Sequence, residues 1–239
     1  MAEFLLIHGS CHGAWCWRDV LPHLHALGHG ARAIDLPAHG ADTTPLEDVT
    51  LDLYARAIVA AMETAPAPVV LVGHSMAGYP ISAAAELAPA LIQKLVYLCA
   101  YVPVSGHSLV QMRQAAPAQP LLEAIRKTPD GLAFTIDPAQ AEAKFYHDCP
   151  PEAVAYAIAR LGPQPILPQA TPLRLGAAYA SVPRHYIRCT DDRTIPPEYQ
   201  VTMTRDWPQE DVSALDTSHS PFFTAPQALA DRLIACAAG

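Results

Sequence analysis

The stretch Val69-Val70-Leu71-Val72-Gly73-His74-Ser75-Met76-Ala77-Gly78 sets one hydroxyl among small residues, where an apolar run gives way to a helical pattern. A serine at such a strand-to-helix turn sits on strained backbone and lifts its Oγ above the sheet. Only small neighbours let the chain turn that tightly, and with Ala77 where a glycine is usual the tightest point shifts toward Gly78. A hydroxyl held this way attacks carbonyl carbon once a base takes its proton, so Ser75 is the candidate nucleophile and the chain reads as an enzyme. The base is an imidazole oriented by a carboxylate, in the chain order serine, acid, histidine. Of eleven histidines, only His219 lies between the last strand pattern and the last helix. His185 falls within a strand, and His107 and His147 fall in a proline-cut middle segment. His8, His12, His39 and His74 precede or adjoin the serine and read as loop braces. Asp191 and Asp192 both follow the strand ending at Cys189-Thr190, and spacing does not choose between them. Asp216 shares a loop with His219 and suits shaping that turn. A tetrahedral intermediate needs two N–H donors, each contributing roughly 3–4 kcal/mol. Met76 supplies one beside the nucleophile. Ser10 supplies the other, with Gly9 letting the backbone come close.

These residues need an alternating frame to bring them together. Apolar strands are expected at Phe4–Ile7, Ala31–Ile34, Val69–Val72, Leu95–Ala100, Arg184–Cys189 and Val212–Leu215, with helices between them at Trp17–Leu27, from Thr50 to Met62, from Met76 to Leu87, and at Pro197–Arg205. That rhythm gives a parallel sheet of about six strands covered by helices on both faces. Thr224 and Gln227 are spaced as a capping box for the last helix. Between Pro103 and Pro183 the rhythm breaks into helical patterns at Leu109–Gln114, Leu121–Lys127, Ala139–His147 and Glu152–Leu161, with Ala133–Ile136 the one stretch that suits a strand. Residues 1–103 and 183–239 are therefore expected to form the core, and 104–182 a helical cap over the sheet's carboxyl edge.

A formal charge of −8 disfavours nucleic acid and anionic membranes. No apolar run is long enough to span a bilayer, and the N-terminus lacks the pattern of a secretory leader. Six unpaired cysteines suit a reducing cytoplasm, and no metal-ligand spacing is present.

Taken together, His8-Gly9-Ser10-Cys11-His12-Gly13-Ala14-Trp15, Asp35-Leu36-Pro37-Ala38-His39-Gly40, Gly73-His74-Ser75-Met76, Thr190-Asp191-Asp192-Arg193-Thr194-Ile195-Pro196 and Phe145-Tyr146-His147-Asp148-Cys149-Pro150-Pro151-Glu152 resemble the α/β-hydrolase subfamily of plant methylesterases and hydroxynitrile lyases, with bacterial aryl-ester and pyrethroid hydrolases nearby. The resemblance implies an α/β-hydrolase fold, a triad of Ser75, Asp192 and His219, and oxyanion donors at Ser10 and Met76. It is the resemblance that prefers Asp192. Hydroxynitrile lyases of the group carry a lysine after the catalytic histidine and a threonine after the first-strand histidine. Ser220 and Gly9 stand there instead, so hydrolysis is favoured over cyanohydrin cleavage. Pro80, near the end of the elbow helix's first turn, is a further departure.

The expected reaction is cofactor-free and metal-free hydrolysis of a small hydrophobic or aromatic ester through an acyl-enzyme. The partner is that small molecule, not nucleic acid or a membrane, and a homodimer is allowed. Met112, Phe134, Phe145, Tyr146, Tyr156, Leu167 and Phe222 are the candidates to line its pocket. A binding protein that barely turns over is the other alternative.

Overall fold

Side chains alternate along a strand, and in this sequence both alternating sets are apolar. In the computed structural model, which describes residues 1–238, this gives a sheet buried on both sides. The first half of the chain runs β1 (Glu3–Ile7), α1 (Leu21–Ala26), β2 (Gly30–Ile34), α2 (Leu51–Glu63), β3 (Val69–His74), α3 (Gly78–Leu87) and β4 (Ile92–Leu98). A middle segment follows, with α4 (Leu109–Ala115), β5 (Ile125–Lys127), β6 (Ala133–Ile136), α5 (Pro138–Ala141), a π-helical turn at Glu142–Tyr146, α6 (Pro151–Ile158), β7 (Gln164–Pro165), α7 (Ile166–Ala170) and α8 (Ala177–Ala180). The chain then closes with β8 (Arg184–Cys189), α9 (Pro197–Met203), β9 (Val212–Leu215), α10 (Pro221–Thr224) and α11 (Pro226–Ala238).

Six strands pair in the order β2-β1-β3-β4-β8-β9, all parallel. Leu5, Ile7, Leu71, Leu95 and Tyr97 face one way, onto Tyr54 and Ile58 of α2 and Ile81 and Ala84 of α3. Phe4, Leu6, Val70, Val72, Val96 and Leu98 face the other way, onto Leu24 of α1 and Leu229 and Leu233 of α11. The expected α/β architecture is the one found. No helix among the described residues is long and apolar enough to cross a membrane.

Several local expectations change. The helix expected over Trp17–Leu27 is a 3₁₀ turn at Ala14–Trp17 followed by the shorter α1. Leu121–Lys127 is not helical. A 3₁₀ turn at Pro120–Ala124 runs into β5, and β5-β6-β7 form a small antiparallel sheet. The middle segment is therefore mixed, with Ala133–Ile136 as its central strand. Thr224 does not cap the last helix: it ends α10, and its hydroxyl donates to Asp148 Oδ1 (2.7 Å). Pro80 needs no special account. The regular α-helix starts only at Gly78, which puts the proline in the first turn, where a missing N–H forfeits little.

Candidate active site

Four non-glycine residues carry a positive φ: Cys11 (63°), Ala38 (62°), Ser75 (57°) and Cys99 (35°). They follow the carboxyl ends of β1, β2, β3 and β4 in turn. Left-handed backbone at a non-glycine residue costs energy and persists where the surroundings impose it. Here the imposition on Ser75 can be named. A Cβ on Gly78 would lie 2.0 Å from the Tyr101 carbonyl oxygen, so helix and loop touch backbone to backbone. The Ser75 carbonyl accepts from Tyr101 N–H (3.1 Å). The tightest approach of the elbow is thus at Gly78, one residue beyond Ala77. Gly9 closes the other side, where an added Cβ would meet His74 Nδ1 at 2.7 Å and Ser75 Cβ at 2.9 Å.

The loops after β8 and β9 bring acid and imidazole together. His219 Nδ1–H donates to Asp192 Oδ2 (2.7 Å), with both residues buried. The remaining acceptor capacity of Asp192 is used by Thr194 N–H (2.7 Å), Ile195 N–H (2.9 Å) and Gln200 Nε2–H (2.9 Å). A buried carboxylate needs such a full set of donors. Asp191 points outward to His147 Nε2 (2.9 Å), and Asp216 accepts from the Thr190 hydroxyl (2.6 Å). Of the two adjacent aspartates, Asp192 is therefore the one on the imidazole.

The His219 loop is hung on the elbow itself. Its carbonyl accepts from His74 Nε2–H (2.8 Å) and from the Cys99 thiol (3.7 Å), and the two imidazole rings lie 4.6 Å apart between centroids. His74, Cys99 and His219 have the ligand types and proximity of a metal site. Two of the three instead direct a proton at the third's carbonyl, which accounts for their convergence without an ion. Among the described residues, Ser75 Oγ makes no hydrogen bond, to His219 or to any other group. The acid–base half of the relay is formed, while the hydroxyl–base half is open, a geometry that commonly tightens only when substrate binds.

The other buried histidines brace backbone, as their positions suggested. His8 donates through Nδ1–H to the Gly9 carbonyl (2.9 Å) and accepts Leu36 N–H at Nε2 (3.1 Å). His12 Nδ1–H donates to the Ser10 carbonyl (2.7 Å), and Tyr146 Oη–H donates to His12 Nε2 (2.7 Å). His39 reaches the Pro37 carbonyl and Gln164 (both 3.1 Å). Burial pushes His8 and His74 well below the usual imidazole range and His12 to about 4, so all three are neutral.

The pocket candidates divide. Phe145 stacks on the His219 imidazole (5.9 Å between centroids) and Phe222 meets His74 edge-on (5.0 Å). Phe134 and Tyr146 belong to the same buried cluster as Cys11 and Trp17. Met112 packs in the other cluster with Met76 and Tyr101. Tyr156 is occupied elsewhere: the guanidinium groups of Arg18 and Arg160 lie 3.8 and 3.7 Å from its ring centre, leaving no face for a substrate. Leu167 is 52% exposed on α7. Gln200 and Gln169, which donates to Ser10 Oγ (2.8 Å), escaped sequence reasoning, because a glutamine on a short helix gives no signal of burial. Tyr101 and Asp148, whose carboxylate accepts Ser218 N–H (2.7 Å), escaped it as well.

With this geometry the comparisons agree. Residues 4–232 match the Alpha/beta hydrolase family. Methylesterase 1 of Arabidopsis thaliana is 34% identical over 245 residues, covering 96% of this chain and 93% of that protein. Esterase PIR7B of Oryza sativa subsp. japonica is 34% identical over 253 residues, with 97% and 94% covered. Among solved structures, a pyrethroid hydrolase from Sphingobium faniae JZ-2 superposes with a TM-score of 0.89 at 27% identity, over 100% of this chain and 98% of that one. A parallel sheet, a strained serine after its third strand, and likeness along nearly the whole length make this chain a member of the alpha/beta hydrolase family, in its methylesterase-like group.

Proposed function

We propose that the chain hydrolyses carboxylic esters, with Ser75 as nucleophile, His219 as general base and acid, and Asp192 orienting the imidazole. The observation that carries this reading is the buried 2.7 Å Asp192–His219 pair, suspended from the residue adjoining a positive-φ serine. Ser75 Oγ attacks the ester carbonyl while His219 Nε2 accepts its proton. The oxyanion is received by the N–H groups of Ser10 and Met76. His219 then protonates the departing alcohol, and water, activated by the same imidazole, releases the acid. Asp192 keeps Nδ1 protonated so that Nε2 presents its lone pair to the serine. Residues 1–103 and 183–239 act as the hydrolase core, with 104–182 as the cap.

The substrate class is a small ester with a hydrophobic or aromatic group. The printed names of the relatives, methylesterases and a pyrethroid hydrolase, fit that class, as does the aromatic ring of Phe145 against His219. Six free thiols suit a reducing compartment such as the cytoplasm. The deciding experiment is a panel of methyl and aryl esters, with p-nitrophenyl acetate as reference, together with labelling by a serine-directed phosphonate. Turnover and stoichiometric labelling that both vanish in Ser75→Ala support the reading. Ser75→Ala with wild-type hydrolysis refutes it.

Hydroxynitrile cleavage is the second reading on this scaffold. Ser220 follows His219, so no cation stands where the leaving cyanide would need one. Cyanide release from mandelonitrile faster than hydrolysis of p-nitrophenyl acetate would reverse the order.

A further inference from the structure

The two residues proposed as oxyanion donors are held very differently. Met76 belongs to the elbow and is fixed by the sheet and by α3. Ser10 lies in a loop, and its anchors come from the middle segment of the chain. Tyr146 Oη–H donates to His12 Nε2 and His12 Nδ1–H donates to the Ser10 carbonyl, both at 2.7 Å. Independently, Gln169 on α7 donates through Nε2–H to Ser10 Oγ at 2.8 Å. Tyr146, His12 and Gln169 are 0, 2 and 4% exposed, so water does not compete well for either arm. The loop is also pressed against the nucleophile, since Gly9 has no room for a side chain between its Cα and Ser75 Cβ.

The direction of the Gln169 bond matters. An amide nitrogen can only donate, so it occupies a lone pair of Ser10 Oγ and leaves the hydroxyl proton uncommitted. Among the described residues, Ser10 Oγ donates to no acceptor. Oγ and the amide nitrogen of Ser10 are joined through one Cα–Cβ unit, so an acceptor within reach of that N–H also lies near the hydroxyl.

We propose that the Ser10 hydroxyl is a third hydrogen-bond donor to the ester oxygen, and that Gln169 is the positioning residue that turns it to donate. The inference rests on the reading of Ser75 as the nucleophile and of Ser10 N–H as an oxyanion donor. It makes the middle segment part of the reaction centre: α7 sets the polarity of a hydroxyl on a loop of the sheet domain. A donor aimed at developing negative charge acts on the transition state more than on the ground state. Its loss therefore appears in kcat and leaves KM nearly alone.

Gln169→Glu tests the direction of the bond, because the carboxylate is nearly isosteric with the amide but can only accept when ionised. It takes the Ser10 proton and turns a lone pair toward the substrate. With p-nitrophenyl acetate, Ser10→Ala lowers kcat about tenfold or more with KM within about threefold, and Gln169→Glu lowers it at least as much. Gln169→Leu, which orients nothing, falls between wild type and Gln169→Glu. Phosphonate labelling of Ser75, which also places an oxygen in the oxyanion site, slows in the same order. In the Ser10→Ala background, Gln169→Glu has no further effect, because no hydroxyl remains to be turned.

A purely structural brace gives the opposite ranking: the isosteric Glu is milder than Leu, and Glu costs the same with or without the Ser10 hydroxyl. Either result overturns the proposal, as does Ser10→Ala with wild-type kcat. Should Gln169→Glu fail to fold, Ser10→Ala and Ser10→Thr decide the matter, since Thr restores the hydroxyl and is expected to recover most of kcat. None of these outcomes bears on Ser75→Ala, whose retained activity would defeat the underlying reading instead.

Discussion

At the carboxyl end of the central sheet, four non-glycine residues hold positive φ, and His8, His12, His39, His74 and His219 are all buried. The amino end of the same strands is built from ordinary extended backbone and ends in partly exposed charges such as Glu3, Lys94, Arg184 and Asp211, with Arg232 of α11 fully exposed nearby. Both ends share one set of hydrogen-bonded strands and one pair of apolar layers. The difference teaches where the molecule accepts unfavourable local states. Strain and desolvated imidazoles gather where the hydroxyl, the base and the acid must meet, and the opposite edge carries none of either among its strand starts. Local stability is given up at one end only, which is the pattern expected when a rigid frame supports a reaction centre.

The sharpest way to break that comparison is Ser75→Ala, expected to lower ester turnover by about 10⁴-fold or more, as loss of a triad member does elsewhere. Ser75→Gly should be as inactive yet more stable by about 1 kcal/mol in denaturant unfolding, because glycine relieves the φ of 57°. A less stable Ser75→Gly would mean that the elbow is not strained. Asp192→Asn comes next, at about 10³–10⁴-fold in kcat. The substituted amide cannot accept from His219 Nδ1–H and from the Gln200, Thr194 and Ile195 donors at once.

The buried histidines give the comparison a pH dependence of definite sign. His12 is held at about 4 by burial, against ~6.5 in an unfolded chain. Between those values the unfolded chain binds the extra proton, so stability is complete above about pH 6.5 and drains away as the pH falls toward 4. From His12 alone the loss approaches about 3 kcal/mol, and His8 and His74, lowered in the same direction, add to it. Melting temperatures followed from pH 7 to pH 4 should fall steeply, and His12→Gln should flatten part of that slope. The smallest effect belongs to the amino end: Arg232→Ala should leave kcat within twofold and stability within about 0.5 kcal/mol. A large effect there would erase the distinction between the two edges.

How much of this could be read from the chain follows from how local each determinant is. The six strands were legible because both alternating sets of residues are apolar, and Ser75 and His219 because their positions relative to strand and helix are unusual. The choice of Asp192 over Asp191 was not legible from spacing. It depends on Gln200 and on the peptide N–H groups of Thr194 and Ile195, which converge only after the loop folds. The small antiparallel sheet escaped because its strands are two to four residues long and are stabilised by pairing between distant segments. The capping box at Thr224 failed for a comparable reason: Asp148, 76 residues away in sequence, claims its hydroxyl.

The crowding at Gly9 bears on attempts to give this scaffold a new reaction. Installing the lyase-type pair, threonine at position 9 and lysine at position 220, would change charge and hydroxyl placement as intended. A threonine Cβ, however, would fall 2.7 Å from His74 Nδ1 and 2.9 Å from Ser75 Cβ. The ring of His74 cannot retreat without releasing the carbonyl of His219 (2.8 Å). The two-residue exchange would therefore dislodge the base before it supplied the cation, and an engineer would have to redesign position 74 first.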